Sequence, residues 1–303
     1  MVPMRILIFP IVVGLALIGR AERTLVAGDQ KDRAVVMMSA DADAAAEFTW
    51  KWTASGDPNV RKADVPHFNN VSDCKVRDGG RTVLVCASGG GCAAIDVATA
   101  RVTWQGLATP RRDGPHAIER LPDGRYAVAN STGVDALELI DGSAAPFVPE
   151  RQRLVRAWDV PGAHGLCWDA KRESLFVIGY TNIFEFAYGS ETMSVTLLRS
   201  WDYTGQCGDP YGHDFMPDGT GGYFFTNHSG VWRFDPGAGS FAPVFSDRNV
   251  KSFTRAADGA DVLTIPRESW WTDRVIVREG GTDRVIGPFP GSRFYKARWC
   301  EGK

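Results

Sequence analysis

Helical periodicity is what this sequence has least of. Beyond residue 21 no stretch repeats apolar residues at three- and four-residue spacing for long enough to make an amphipathic helix, which argues against helical bundles and α/β folds. Histidine is scarce, at 5 residues, and the 6 cysteines contain no Cys-x-x-Cys pair. That count in 303 residues excludes a disulfide-stapled scaffold and gives no support to a thiolate metal site. An excess of one charge is also absent: 34 Lys and Arg face 36 Asp and Glu, a net charge of −2, so no basic field marks a nucleic-acid partner. Gly-x-Ser-x-Gly, His-Glu-x-x-His and paired-carboxylate motifs are missing, which leaves hydrolase and esterase readings unsupported. No glycine-rich turn precedes a helix, so a dinucleotide or P-loop fold fails as well.

Long apolar runs are missing too. The longest, Ile6–Ile18, has 13 residues, too few to span a bilayer comfortably. It follows the positive charge of Arg5 and precedes Gly19-Arg20-Ala21, small residues at the −3 and −1 positions of a cleavage site. Residues 1–21 are therefore read as a secretory signal peptide, with residues 22–303 as the mature domain, secreted or periplasmic and without a membrane span. The mature 282 residues carry a net charge of −4. Export permits disulfides, and Cys86 and Cys92 flank the turn Gly89-Gly90-Gly91, where they either face each other across a hairpin or remain buried thiols.

What the chain does have is glycine, 33 residues, and short apolar runs set off by turns. RTVLVCAS, RYAVANST, SLFVIGYT, GYFFTNHS and ADVLTIPR each follow a turn, four of them containing Asp-Gly, where glycine accepts the positive φ that a tight hairpin demands. A second register is aromatic. Trp52, Trp104, Trp158, Trp201, Phe245 and Phe289 each end a strand-like run, at spacings of 52, 54, 43, 44 and 44 residues. A four-stranded propeller blade takes roughly 40–50 residues, and the mature chain averages 47 per sixth. The fold expected is all-β: a six-bladed β-propeller with four antiparallel strands per blade and the aromatics packed between blades. The last copy, FYKARWC from Phe294, is expected to be the innermost strand of the blade begun at residue 24, so that pairing of the two chain ends closes the ring.

Five local patterns sharpen this: Asp29-Gln30 after the first strand, Ala87-Ser88-Gly89-Gly90, Pro115-His116, Gly162-Ala163-His164-Gly165, and Phe294–Trp299. Together they resemble a family of secreted six-bladed propellers of unknown function. The resemblance covers the whole mature chain and implies the fold but no activity.

Aligning the blade starts places Ser72, His116, His164, His213, Lys251 and Lys296 around the mouth of the central channel. The other two histidines, His67 and His228, fall on the same face. Ends of second strands add Asp29, Gln30, Ser88, Asn130, Tyr180, Asn227 and Arg267, and the next loop adds Trp270 and Trp271. Water held by a polar channel lining is the plain reading of such a ring. Two chemical readings stand beside it. His116, His164 and His213 could hold a divalent metal with an open position, although the two lysines oppose a dication. Alternatively Lys251, Lys296, Arg267 and protonatable histidines grip a carboxylate, sulfate or phosphate. With no metal present, such an anion would bind more tightly as pH falls through the histidine range.

Both chemical readings expect an anionic small ligand or carbohydrate. An extracellular lyase on a uronate-type carbohydrate would use His116, His164, His213, Lys251 and Lys296 as catalytic groups. Asp29, Gln30, Tyr180, His228, Arg267 and Trp270 would bind substrate. The alternative is a non-catalytic propeller that binds a polysaccharide or a protein through the same face. Propeller-fold oligogalacturonate lyases are similar in carrying histidines at the channel mouth, a likeness of fold rather than of motif.

Overall fold

The computed structural model describes residues 23–41, 47–109, 114–131 and 136–300. The expected signal peptide lies outside them. Six antiparallel sheets are arranged in chain order. Blade one combines Phe294–Trp299 as inner strand with Thr24–Asp29, Ala34–Ser39 and Phe48–Thr53, so the two chain ends do close the ring. Inner strands of blades two to six are Val71–Arg77, Pro115–Arg120, Gly165–Asp169, Asp214–Pro217 and Ser252–Arg255. Blade two carries a fifth, outer strand: Ser143–Ala144, from the connection inside blade three, pairs with Gln105 and Trp104. The one α-helix among the described residues is the single turn Thr204–Cys207.

Middle strands such as AVVMMS and TVLVCA are buried on both faces because each blade is covered on both sides by a neighbour. Six apolar clusters result, one for each blade interface; Val26, Val35 and Trp52 of blade one meet Val71 and Val83 of blade two, for example. The aromatic register serves these interfaces. Trp52 packs edge-on to Phe68 at 5.4 Å, Trp104 stacks on Tyr126 at 3.7 Å, and Trp201 meets Phe234 at 4.9 Å. Phe289 closes the circle against Phe48 at 4.8 Å. Trp52 is 2% exposed and its Nε1 donates to Asp57 Oδ2 at 2.8 Å, so its one polar atom is satisfied. Truncating it to alanine would cost about 3–5 kcal/mol. Gly124 and Gly259 of the Asp-Gly turns have φ near +88°, as the hairpins require. Cys86 and Cys92 do face each other across their hairpin, as buried free thiols.

Alternate residues of the inner strands enter the central channel and fill it with charge. Arg298 pairs with Asp73 at 2.7 Å and with Asp214. Lys75 lies 3.5 Å from Asp73 and 3.4 Å from Glu119, and Lys296 lies 3.4 Å from Asp214. All six of these side chains are at most 5% exposed. Arg77 joins them 3.0 Å from Glu119, and on one face a cavity opens with these ion pairs as its floor.

Candidate functional site

The cavity at the channel mouth has a volume of about 310 Å³. Blades four, five and six supply its ring by one repeated device. The backbone N–H groups of His164, His213 and Lys251 donate to the last residue of each second strand, Ile178, Thr226 and Thr264, at 3.0, 2.8 and 2.9 Å. Their side chains thereby emerge at the same level. Blades two, three and one use a β-bulge instead, which re-aims a side chain at the start of the inner strand. Ser72 and His116 are the extra residues of their bulges. In blade one Tyr295 and Lys296 together oppose Gly28, because Ala27 pairs with Ala297 and Asp29 with Phe294.

That last irregularity decides where Lys296 goes. Tyr295 lines the cavity, while Lys296 turns down into the floor, 1% exposed, and donates to the carbonyl oxygens of His116 and His164 at 3.1 and 3.0 Å. Ser72 also stands behind the wall, bonded to the lining residue Ser88 at 2.9 Å. His116, His164, His213 and Lys251 line the cavity, as do Gln30, Tyr180, His228 and Trp270. Asp29 does not: it is 1% exposed, and its Oδ1 accepts from the backbone N–H groups of Lys31 and Arg293. Arg267 is outside as well, its side chain 57% exposed and 3.9 Å from Asp273. His67 sits beside Gly89, with Nδ1 3.2 Å from that carbonyl. Asn130 is buried at the end of its strand, and its neighbour Ser131 lines the cavity in its place. Asn227 is taken up by the Cys207 and Asp209 carbonyls, and Trp271 lies under the Arg293 guanidinium.

Aromatic rings make a continuous wall. Ring centroids follow one another at 5.6 Å from Tyr295 to His116, 4.4 Å to His164, 5.7 Å to His213 and 4.9 Å to His228. Tyr211 continues it, 5.0 Å from His228 and 4.9 Å from Tyr180. Trp270 adds a separate ring, its Nε1 donating to Gln30 Oε1 at 3.0 Å. Tyr211, Tyr295, Asn70 and Ser131 are lining residues that the sequence reading missed. Tyr211 had a signal, standing two residues before His213, while Tyr295 needed the bulge to be known. Gly162 is required where Tyr180 lies: its φ is +65°, and a Cβ would run into the Tyr180 ring.

Hydrogen bonds fix the imidazole tautomers. Carbonyl oxygens only accept, so His116 Nδ1–H donates to Gly114 and His164 Nδ1–H to Gly162, each at 2.9 Å, leaving the lone pair on Nε2. Lys251 Nζ stands 2.9 Å from His213 Nε2; an ammonium only donates, which places the His213 proton on Nδ1, a buried atom with no hydrogen-bond partner among the described residues. Burial, then the nearby His116 ring and the Lys296 and Lys251 ammonium groups, push the His164 pKa well below the usual range despite the bond to Gly162. Burial followed by Lys251, His164, His228 and Lys296 does the same to His213. Lys251 itself is lowered to about 8, by burial and then by Lys296.

Among the described residues no three His, Cys, Asp or Glu side chains group closely enough to hold a metal ion. His213 Nε2 is engaged by an ammonium, and a second ammonium lies beneath His116 and His164. The three imidazoles are thus not grouped as a metal-ligand set in this arrangement. What the cavity has is one ammonium at its wall, imidazoles of which His164 and His213 are held neutral, aromatic faces, and no Asp or Glu among its described lining residues.

The profile of a family of unknown function, DUF6528, matches residues 15–302, and the chain belongs to that family. No curated protein matches it by sequence. Among solved structures, a chain of a nidogen/laminin complex is similar with a TM-score of 0.59 at 10% identity, over 91% of this chain and 97% of that one. A protein from Lactobacillus plantarum has a TM-score of 0.56 at 14% identity, over 92% and 86%. The WD40 β-propeller domain of Doa1 has a TM-score of 0.55 at 11% identity, over 80% and 71%. At these identities the likenesses show the propeller fold alone. No helix of the described residues is long and apolar enough to cross a membrane.

Proposed function

We propose that this DUF6528 propeller binds an anionic carbohydrate of uronate type in the cavity at its channel mouth. Lys251 is the observation that carries the reading. Its side chain is buried to 9% exposure, it faces the cavity, and it bonds to the His213 imidazole, with no carboxylate among the described lining residues. A buried charge without a counter-charge costs several kcal/mol, and a ligand carboxylate would offset that cost. Tyr180, Tyr211 and Trp270 offer faces for a sugar ring, while Gln30, Ser88 and Ser131 offer partners for its hydroxyls. A cavity of about 310 Å³ suits a small ligand.

Calorimetry with glucuronate and galacturonate, against glucose and galactose, tests this. The acids should bind and the neutral sugars should bind at least tenfold more weakly, with the preference lost in Lys251→Met. Equal affinity for acid and neutral sugar would end the reading. An exported site of action belongs to the same proposal, and a mature N-terminus at Glu22, read by sequencing the purified protein, tests it.

One observation favours a second reading, in which bound uronate is also cleaved. Burial keeps His164 unprotonated at neutral pH, and its Nε2 lone pair, away from the Gly162 bond and 3.4 Å from Ser131 Oγ, is able to accept a proton. With the carboxylate neutralised by Lys251, His164 Nε2 would take the proton from C5. The C5–H electrons form the C4=C5 bond, the C4–O4 bond breaks, and the departing oxygen takes the Tyr180 phenolic proton. New ultraviolet absorbance from the unsaturated product on polyuronates would reveal it. Binding without that absorbance in wild-type protein would leave the binding role alone.

A further inference from the structure

Lys251 has a chemical capacity separate from its charge. The described lysines divide by surroundings. Lys31, Lys51, Lys62 and Lys171 are exposed. Lys75 and Lys296 are buried, but each donates to two backbone carbonyls, Lys75 to Ile118 and Leu166, Lys296 to His116 and His164, and each stands within 3.5 Å of a carboxylate. Among the described residues, Lys251 is the lysine that is buried, lines a cavity able to hold a ligand, and bonds to an imidazole.

We infer that Lys251 is an imine-forming lysine, condensing in this cavity with the carbonyl group of a small aldehyde or 2-oxo acid while His213 relays the protons. The ammonium gives a proton to His213 Nε2, and the freed amine adds to the carbonyl carbon. The C=O π electrons move onto oxygen, which takes that proton back from His213. A second proton passes from nitrogen to the hydroxyl by the same imidazole. The C–O bond breaks, water leaves, and the nitrogen lone pair closes a protonated C=N bond. One ammonium and one carbonyl thus become one iminium and one water, with no oxidant or reductant.

The surroundings suit both partners of this step. Lys251 has the Lys296 ammonium below it and the neutral His213 and His228 rings beside it, so burial first and then Lys296 favour the free amine. With its pKa lowered to about 8, about a quarter of Lys251 is free amine at pH 7.5, against roughly one part in a thousand for an exposed lysine. His213 is buried to 6% exposure and disfavours a lasting charge, so a proton placed on it is passed on. No carboxylate among the described lining residues would oppose the anionic end of a 2-oxo acid or glyoxylate.

The test uses the full-length protein with glyoxylate and cyanoborohydride at pH 7.5, followed by digestion and peptide mass spectrometry. The reductant converts the imine to a stable carboxymethyl-lysine, so each site reports its own rate. Lys251 should be modified at least tenfold faster than Lys31, Lys62 and Lys171. His213→Gln should slow trapping at Lys251 at least tenfold while leaving the exposed lysines unchanged, with circular dichroism as the check on folding. Modification of Lys251 no faster than that of the exposed lysines in wild-type protein would overturn the inference, without reliance on any variant. Uronate binding is read by calorimetry with no reductant present, so either proposal can fail without the other.

Discussion

Arg298, on the last strand, forms a buried ion pair with Asp214 of blade five, 84 residues earlier in the chain. The same guanidinium holds Asp73 of blade two at 2.7 Å. One side chain therefore ties the closing strand across the channel to two other blades while sealing the cavity floor. Loss of the arginine leaves two carboxylates buried without it.

Arg298→Met is expected to destabilise the protein by about 3–5 kcal/mol, the cost of breaking a buried pair. Urea denaturation measures it. Ending the chain after Gly291 removes the inner strand of blade one as well and exposes two sheet edges, so that variant should be unfolded or insoluble. A soluble truncated protein with native circular dichroism would show that the ring closes without Phe294–Trp299.

Acid should weaken the fold in two steps. The folded pKa of His164 and of His213 lies well below the unfolded value of about 6.5, because burial and nearby cations disfavour their charge. As pH falls below that value the unfolded chain takes up these protons first, so stability falls with pH. Asp73 is held far below the carboxylate range, since Arg298, Lys75 and Lys296 together outweigh its burial. Its contribution is present above about pH 4 and is lost as pH falls further. Melting temperatures from pH 8 to pH 3 should show both steps, and His164→Asn should shrink the first.

If the proposed uronate site is right, its pH dependence should follow Lys251 in place of a rise through the histidine range. His164 and His213 stay neutral there, whereas Lys251 titrates at about 8 in the empty cavity. A bound carboxylate favours the ammonium and raises its pKa, so affinity should be level below pH 7 and fall as pH rises through about 8. Glucuronate titrations between pH 6 and pH 9.5 check this. Affinity that climbs between pH 7 and pH 6 would return the role to a histidine.

Gly162→Ala should loosen the site rather than the fold. A Cβ there collides with the Tyr180 ring at a φ of +65°, and the combined strain is on the order of 1–3 kcal/mol. Glucuronate affinity should drop by at least fivefold while the far-ultraviolet circular dichroism stays unchanged. Unaltered affinity would show that Tyr180 does not touch the sugar.

Six blades, their order and the closing strand were legible in the chain itself. Short apolar runs, Asp-Gly turns and aromatics spaced 43–54 residues apart are local features that repeat, and a repeated local rule needs no tertiary knowledge to be counted. The convergence of His116, His164, His213 and Lys251 followed from the same count, because ring closure brings equivalent positions of successive blades together. Only the tertiary structure decided the rest. A one-residue bulge opposite Gly28 gave the wall to Tyr295 and sent Lys296 into the floor. Nothing in FYKARW marks that slip, and a slip of one residue moves every strand side chain to the opposite face. Arg267 and Asp29 left the cavity because an outward turn and two backbone amides claimed them. Among the described residues the three histidines do not group as a metal set, and an ammonium stands 2.9 Å from His213. Repetition along a chain determines which residues meet; the direction a side chain takes depends on partners hundreds of residues away, as Arg298 and Cys74 are, 224 apart and in contact.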